Sequence, residues 1–176
     1  MQIKSGKARV VLLLPRWGVA LKFPRIYLRN VARLLWSLRS KKTREHSLVF
    51  FTSPVTTWGS FRYSLCAGIL QNRSEYRFYR NTKNVFAWPT IFSLGGLVNV
   101  QPLGTLPPRE RETNIWLGVV NIAREHLKDM HCFAYYGNYC LDERGALYLL
   151  DYASENSQTV LKLYGEQLRS HFEEGP

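Results

Sequence analysis

Two short apolar runs near the start of the chain, "RVVLLL" and "GVALKF", are the feature that most restricts its fold. Pro15, Arg16 and Trp17 separate them, and Gly18 opens the second run. Apolar runs of this length with Pro and Gly between them are typical of two strands joined by a tight turn. We therefore expect an antiparallel hairpin whose second strand ends near 22–23, because the proline that follows does not continue a ladder.

After this hairpin the apolar residues take up helical spacing. Five of them fall on one face: Tyr27, Val31, Leu34, Leu35 and Leu38. The remaining surface is crowded with cations: Arg25, Arg29, Arg33, Arg39, Lys41 and Lys42. The pattern predicts a basic amphipathic helix, which can pack on a core, lie on a membrane surface or face nucleic acid. Packing on the core is the most frequent use of such a stripe and is the first expectation.

The rest of the chain predicts a mixture of short strands and helices. In chain order we expect a loop over 47–64, a helix over 65–82, a hairpin over 89–101, a linker over 102–112, a helix over 114–128, a hairpin over 139–151 and a helix over 157–172. Gly95 and Gly96 supply the turn of the first of these hairpins, and Asp142 and Gly145 that of the second. Thr113 can cap the helix that follows the linker.

Charge divides the chain into two parts. Residues 1–109 have eighteen Lys and Arg against two acids, whereas residues 110–176 have six against eleven. A basic half beside an acidic half indicates an anionic partner for the first half, such as phosphate, nucleic acid or an acidic membrane surface. The alternative is a solvated basic face with no partner.

Composition is that of a globular protein, with 45% hydrophobic and 21% charged residues. No apolar run reaches the length of a transmembrane helix, and "VVLLLP" is interpreted as a strand rather than as part of a signal peptide. The three cysteines are odd in number and lack metal-binding spacing. These features predict a cytoplasmic protein without a transmembrane segment.

The order of the elements, with polar residues at their ends, resembles that of the protein-kinase-like superfamily. "VALK" at 19–22 is similar to the V-A-I-K strand, and Glu75 lies where the partner of that lysine would be. "VNVQPLG" at 98–104 stands where the adenine-binding hinge would be. "DMHCFAYYGN" at 129–138 resembles a catalytic loop, and "DYA" at 151–153 resembles the D-F-G element. The loop and the "DY" pair are also similar to those of small bacterial and phage kinase-like proteins.

The resemblance implies an α+β, minimal kinase-like fold. A small antiparallel-sheet N-lobe with helices would span 1–104, and a reduced helical C-lobe would span 105–176. The implied cofactors are ATP and Mg²⁺, with hard oxygen ligands for the hard ion. The assigned residues are Lys22, Glu75 and Val100 for the nucleotide, Asn138 and Asp151 for the metal, and Asp129 and His131 for catalysis. In this assignment Lys22 contacts phosphate, Glu75 orients Lys22, and Asp129 is the base.

The chain departs from the kinase pattern in three ways. It lacks a glycine-rich loop before the lysine strand. The H-x-D-x-x-x-x-N frame gives His131, Phe133 and Asn138, so a phenylalanine stands at the base position, and Asp129 could replace it only across a four-residue insertion. The residues after "DYA" are also too few for an activation segment and a full helical lobe. We therefore expect nucleotide-phosphate binding with weak or absent phosphotransfer.

Two other functions fit the sequence. A non-catalytic pseudokinase binding module is favoured by Phe133, and a basic nucleic-acid-binding protein is favoured by the arginine-rich helix with Trp36 and Trp58. The site residues also have structural alternatives. These are an edge-strand role for Lys22, a solvated helix face for Glu75, a turn for Asn138, a helix or turn cap for Asp151 and an ordinary loop position for His131.

Overall fold

The computed structural model describes residues 1–39, 41–128 and 130–173, apart from the side chains of Lys41, Lys42 and His131. The strands are β1 (Gln2–Ser5), β2 (Arg9–Leu14), β3 (Val19–Pro24), β4 (Phe92–Ser93), β5 (Asn99–Pro102), β6 (Tyr139–Leu141) and β7 (Leu147–Leu149). The helices are α1 (Leu28–Ser37), α2 (Lys41–Thr52), α3 (Phe61–Thr82), α4 (Glu112–Ala123), α5 (His131–Ala134) and α6 (Glu155–Glu173). The chain is thus α+β, with a small antiparallel sheet and several helices.

The chain divides into two compact units. The first comprises residues 1–73 and 93–100, and the second comprises 74–92 and 101–176. This division does not test the two lobes expected at 1–104 and 105–176, which stay a prediction.

Five strands form a sheet in the order β1-β2-β3-β5-β4, of which β1, β2 and β3 lie wholly in the first unit. The expected hairpin is β2 and β3, paired antiparallel from Leu14 opposite Val19 to Arg9 opposite Pro24. Its turn is a single 3-10 turn that ends at Gly18, whose φ of 61° is in the left-handed region that glycine accommodates. β1 was not expected, because the stretch "QIKS" is polar. Only its pairing with β2 identifies it as a strand.

The expected basic helix is two helices, α1 and α2, which form a helical hairpin. The hydroxyl of Thr43 donates to the carbonyl of Ser37 over 2.8 Å, and the Ser47 hydroxyl reaches the Ser37 hydroxyl over 2.6 Å. The loop expected at 47–64 is wrong at both ends, because residues 47–52 belong to α2 and α3 begins at Phe61. The aromatic residues in this stretch hid its helical period.

α3 approaches the first hairpin closely at Gly68. A Cβ at this position would lie 2.3 Å from the Ala8 carbonyl oxygen and 2.7 Å from the Pro24 Cα. Only glycine permits this approach, so the sequence "CAGIL" sets how near the helix lies to the strands.

The second unit contains the hydrophobic core. Its buried apolar residues are Phe78, Phe86, Ala87, Ile115, Val119, Ala123, Leu127, Phe133, Tyr139, Leu147, Leu149, Tyr152, Val160, Leu161 and Leu168. They come chiefly from α4, α6 and the hairpin of β6 and β7, in which Tyr139 lies opposite Leu149. The hairpin is extended on both sides, because Leu149 pairs with 86–88 and Leu141 exchanges two hydrogen bonds with Thr105.

Asp142 organises the turn between β6 and β7, as expected. Its carboxylate accepts hydrogen bonds from the backbone N–H groups of Ala146 and Arg144, both at 2.9 Å. Partial burial is the largest single influence and raises the pKa of Asp142. The two backbone hydrogen bonds, the Tyr148 hydroxyl and the Arg169 guanidinium together outweigh it, so the pKa lies below its ordinary value.

The structure also bears on three smaller features: a helix cap, membrane-spanning helices and the cysteines. α4 begins at Glu112 without a side-chain cap, so the cap predicted at Thr113 is wrong. None of the helices in the described ranges has the length and hydropathy needed to cross a bilayer. None of the three cysteines, all within the described ranges, forms a disulfide.

Candidate nucleotide and metal site

Lys22 lies on an interior strand of the sheet. β3 has β2 on one side and β5 on the other, and Lys22 stands opposite Val11 in the register. The side chain is only 6% exposed. An edge-strand lysine that blocks aggregation is solvent-exposed, so this alternative is excluded. Lysine is seldom buried unless it has a partner, and the phosphate-binding role of Lys22 stays a prediction.

Two buried asparagines beside Lys22 were missed by sequence reasoning. The side-chain amide of Asn72 on α3 donates to the carbonyls of Lys22 and Gly96, at 3.1 and 2.9 Å, and Asn99 donates to the Asn72 carbonyl at 2.8 Å. Both asparagines are fully buried, and their Oδ1 atoms accept no hydrogen bond from the described part of the chain. The available signal was that Asn72 lies three residues before Glu75, on the same helical face.

Val100 lies in β5 between two buried amides. Asn99 and Gln101 are 0% and 1% exposed, whereas Val100 is half-buried. The polar residues of this strand therefore point inward, which is the reverse of the usual alternation. β5 is adjacent to β3 in the sheet, so Val100 and Lys22 occupy neighbouring strands of the first unit.

Glu75 belongs to the second unit and is fully buried on α3. A glutamate that only offsets nearby arginines would remain on a solvated face, so this alternative is excluded. A buried carboxylate costs several kcal/mol unless it is paired or hydrogen-bonded. The predicted ion pair between Lys22 and Glu75 stays a prediction.

Asp151 follows β7 at a point where both flanks of the backbone are fixed. The N–H of Leu150 donates to the Asn138 carbonyl at 2.6 Å, and the Ala153 carbonyl accepts from the Ser74 hydroxyl at 3.0 Å. The cap of α6 is Ser154, whose hydroxyl accepts from the Ser157 N–H at 3.1 Å. The half-buried Asp151 is therefore not the helix cap that the sequence left open.

Tyr152, the residue after Asp151, is fully buried in the second unit. Its hydroxyl donates to the Trp88 carbonyl at 2.7 Å and lies 2.9 Å from the Thr90 hydroxyl. The Gln101 side-chain amide donates to the same Thr90 hydroxyl at 2.9 Å. These hydrogen bonds hold the "DY" pair in one position.

Asn138 is brought next to this segment by its backbone, as its carbonyl is bonded to the residue before Asp151. It ends a 3-10 turn at 136–138, which agrees with the turn role considered for it. Its amide nitrogen donates to the Cys132 carbonyl at 2.8 Å. The side-chain oxygen is the atom that a hard cation would use, so the two roles are compatible.

The expected catalytic loop is partly a helical turn. α5 begins at His131, and Phe133 is 1% exposed in the hydrophobic core. Burial raises the pKa of the Tyr139 phenol far above its ordinary value, so its hydroxyl stays protonated and donates to the Phe133 carbonyl at 2.9 Å. The base position is thus occupied by a core side chain. Asp129 lies outside the described residues, as does the side chain of His131.

The donor set fits Mg²⁺ with phosphate. Mg²⁺ is commonly held by one or two protein oxygen ligands together with substrate phosphates and water. Asn138 and Asp151 would supply an amide oxygen and a carboxylate, from segments whose backbones are joined by the hydrogen bond from the Leu150 N–H to the Asn138 carbonyl. Within the described ranges there is no cluster of three or more His, Cys, Asp or Glu side chains arranged to hold a metal ion.

Comparison with protein-family models, with curated proteins and with solved structures finds no match to this chain.

Proposed function

We propose that the protein binds a nucleotide together with Mg²⁺ and that phosphotransfer is absent or very slow. Asn138 and Asp151 hold the metal, Lys22 neutralises phosphate charge, and Glu75 orients the lysine. Val100 contributes to the adenine site. This is the function expected of a kinase-like chain that keeps its phosphate and metal residues.

The observation that carries the proposal is the placement of Asp151. Asp151 is half-buried just after β7, and a carboxylate is a hard oxygen ligand of the kind that Mg²⁺ prefers. Asp151 does not cap α6, and the residues on both sides of it are held by hydrogen bonds. Because the backbone on both sides of Asp151 is already held, little conformational entropy would be lost when a ligand binds there.

Phe133 supports the non-catalytic side of the proposal. A general base contributes roughly 10²–10⁴-fold to rate, and a core phenylalanine cannot accept a proton. Substituting Phe133 by aspartate would bury a charge in the core and unfold the protein rather than restore activity. Any residual activity is assigned to Asp129. Its dependence on that residue is measured by ATP turnover of the wild type and of Asp129→Asn.

The test of binding is the thermal unfolding midpoint with Mg²⁺ and ATP, compared with ATP and a chelator. We expect the wild type to be stabilised by about 2.7 kcal/mol when the ligand is at about 100 times its Kd, and only when Mg²⁺ is present. Asp151→Ala is expected to remove this increase while the protein stays folded.

Asp142→Ala is the matched control, because it removes the other aspartate of the same hairpin. It is expected to lower the midpoint without ligand slightly and to keep the Mg²⁺-ATP increase. An unchanged increase in Asp151→Ala would remove Asp151 from the site. Failure of the wild type to respond to Mg²⁺-ATP would reject the proposed function.

A further inference from the structure

The helical hairpin of α1 and α2 leaves an apolar stripe uncovered. No residue of α1 is buried. Leu28, Ala32, Leu35 and Trp36 have the spacing i, i+4, i+7 and i+8, which places them on one face, and all four are exposed. The exposed fractions are 69% for Leu28, 49% for Leu35 and 72% for Trp36. This face differs from the stripe of Tyr27, Val31, Leu34, Leu35 and Leu38 that was expected to pack on a core, in which Leu35 is exposed and the other four residues are half-buried.

The polar side of α1 is strongly basic. Arg29 and Arg33 are exposed, and on the helical wheel they lie directly next to the apolar stripe. Between residues 25 and 62 the chain has eight Lys and Arg and one acid, Glu45. The guanidinium of Arg39 lies over the Trp36 ring, 5.0 Å from its centre, so a cation and an aromatic ring are exposed together.

The hairpin is fixed at its ends rather than along the stripe. At its start the Tyr27 N–H donates to the Ser64 carbonyl at 3.0 Å, and the Tyr27 ring contacts Trp58 edge-on at 5.7 Å. At its end the Phe51 ring stacks on the Phe61 ring, with ring centres 4.1 Å apart. These anchors hold the two helices in place without covering Leu28, Leu35 or Trp36.

We propose that this face docks on an anionic phospholipid surface. Leucine and tryptophan side chains would enter the boundary between headgroups and acyl chains, while the arginines contact the lipid phosphates. An interfacial helix combines these two features, a narrow apolar face and a cationic polar face. A nucleic-acid backbone would use the arginines but would leave Leu28 and Leu35 in water. A protein partner would need an acidic rim around an apolar groove to match the same surface.

The apolar half of the proposal is tested by co-sedimentation of the full chain with vesicles. We expect binding to phosphatidylcholine vesicles containing about 30% phosphatidylglycerol and little binding to phosphatidylcholine alone. Leu28→Ser with Leu35→Ser is expected to weaken binding about tenfold or more. Leu94→Ser with Leu97→Ser is the matched control, since these leucines are 57% and 51% exposed in the same unit, and it should bind as the wild type does.

The cationic half is tested by charge reversal. Arg29→Glu, Arg33→Glu and Arg39→Glu together are expected to weaken vesicle binding about 100-fold or more, and added salt should weaken wild-type binding. The control has the same net charge change at exposed positions elsewhere: Arg80→Glu, Arg124→Glu and Arg144→Glu. It should retain most of the binding. Thermal unfolding of every variant checks that it is folded.

Three results would overturn the proposal. The first is equal binding to anionic and zwitterionic vesicles. The second is an equal loss of binding in a variant and its control. The third is wild-type affinity for a short DNA duplex that exceeds its affinity for anionic vesicles and depends on the arginines but not on Leu28 and Leu35, which would assign the surface to nucleic acid.

Discussion

The two compact units bury different kinds of side chain. In the second unit fifteen buried apolar residues form one cluster. In the described residues of the first unit, every buried residue is an alanine, a glycine or a polar residue: Ala8, Arg9, Ala20, Lys22, Ser47, Ser60, Ser64, Ala67, Gly68, Asn72, Gly96 and Asn99. Its large apolar side chains are half-buried or exposed.

This difference shows that apolar content and apolar burial are separate properties. α1 and α4 both have helical apolar spacing, but α4 buries Ile115, Val119 and Ala123, whereas α1 buries nothing. The second unit is stabilised mainly by transfer of apolar surface from water. The first unit instead has close backbone approaches, as at Gly68, and buried hydrogen bonds, as at Asn72.

The largest predicted effect is loss of core volume in the second unit. Leu161 is fully buried on α6, so Leu161→Ala should lower the free energy of unfolding by about 2–5 kcal/mol. Leu35→Ala makes the same change on exposed α1 and should stay within about 0.5 kcal/mol. Urea denaturation of both variants measures the difference. Equal losses would mean that α1 contributes to stability as much as α6 does, which would contradict the difference between the two units.

A smaller effect is predicted for the hydrogen bonds of the first unit. Asn72→Ala leaves the carbonyls of Lys22 and Gly96 without their donor, which should lower the free energy of unfolding by about 1–3 kcal/mol. Asn81→Ala is the control, because it changes an exposed asparagine of the same helix and should be neutral or slightly stabilising. If the two variants unfold at the same urea concentration, buried amides do not hold the first unit together.

The smallest effect concerns pH and the acidic second unit. The pKa of Asp142 is lowered in the folded state, so its contribution is present above the ordinary pKa and is lost as pH falls through the lowered value. The side chain is largely solvated, so we expect less than about 1 kcal/mol. Between pH 7 and about pH 3, wild-type stability should fall more than that of Asp142→Asn. Glu143→Gln, the neighbouring control, should follow the wild type.

The sequence predicted much of the fold where local pattern and packing agree. The hairpin of β2 and β3, the glycine turn at 95–96, the turn at 142–145 and the helix α6 were expected with nearly correct bounds. The errors have physical causes. β1 is polar and depends on pairing with β2, and the aromatic residues of 47–64 obscured the ends of α2 and α3. Apolar spacing also cannot reveal how deeply a stripe is buried, and four of the five residues expected to pack on the core from this helix are only half-buried.

The candidate site was predicted less completely. Sequence order proposed Lys22, Glu75 and Asp151 as site residues, which stays a prediction, and the structure excludes an edge lysine, a solvated glutamate and a helix cap as their roles. Asn72 and Asn99 were missed because isolated asparagines usually indicate turns, and only their burial marks them as part of the packing. The sequence also did not predict which side chains of β5 point inward.

The hydrogen bonds around Tyr152 have a fixed direction. A phenol has one hydrogen, and Tyr152 gives it to the Trp88 carbonyl, so in the contact with Thr90 the threonine must be the donor. Thr90 in turn accepts from the Gln101 amide. The series therefore runs one way, from Gln101 through Thr90 and Tyr152 to the carbonyl, and each donor polarises the next. If the segment after Asp151 shifted its register, these buried hydroxyls would face one another without a consistent donor-to-acceptor order. The direction of the hydrogen bonds therefore selects one register, where packing of apolar side chains alone would tolerate several.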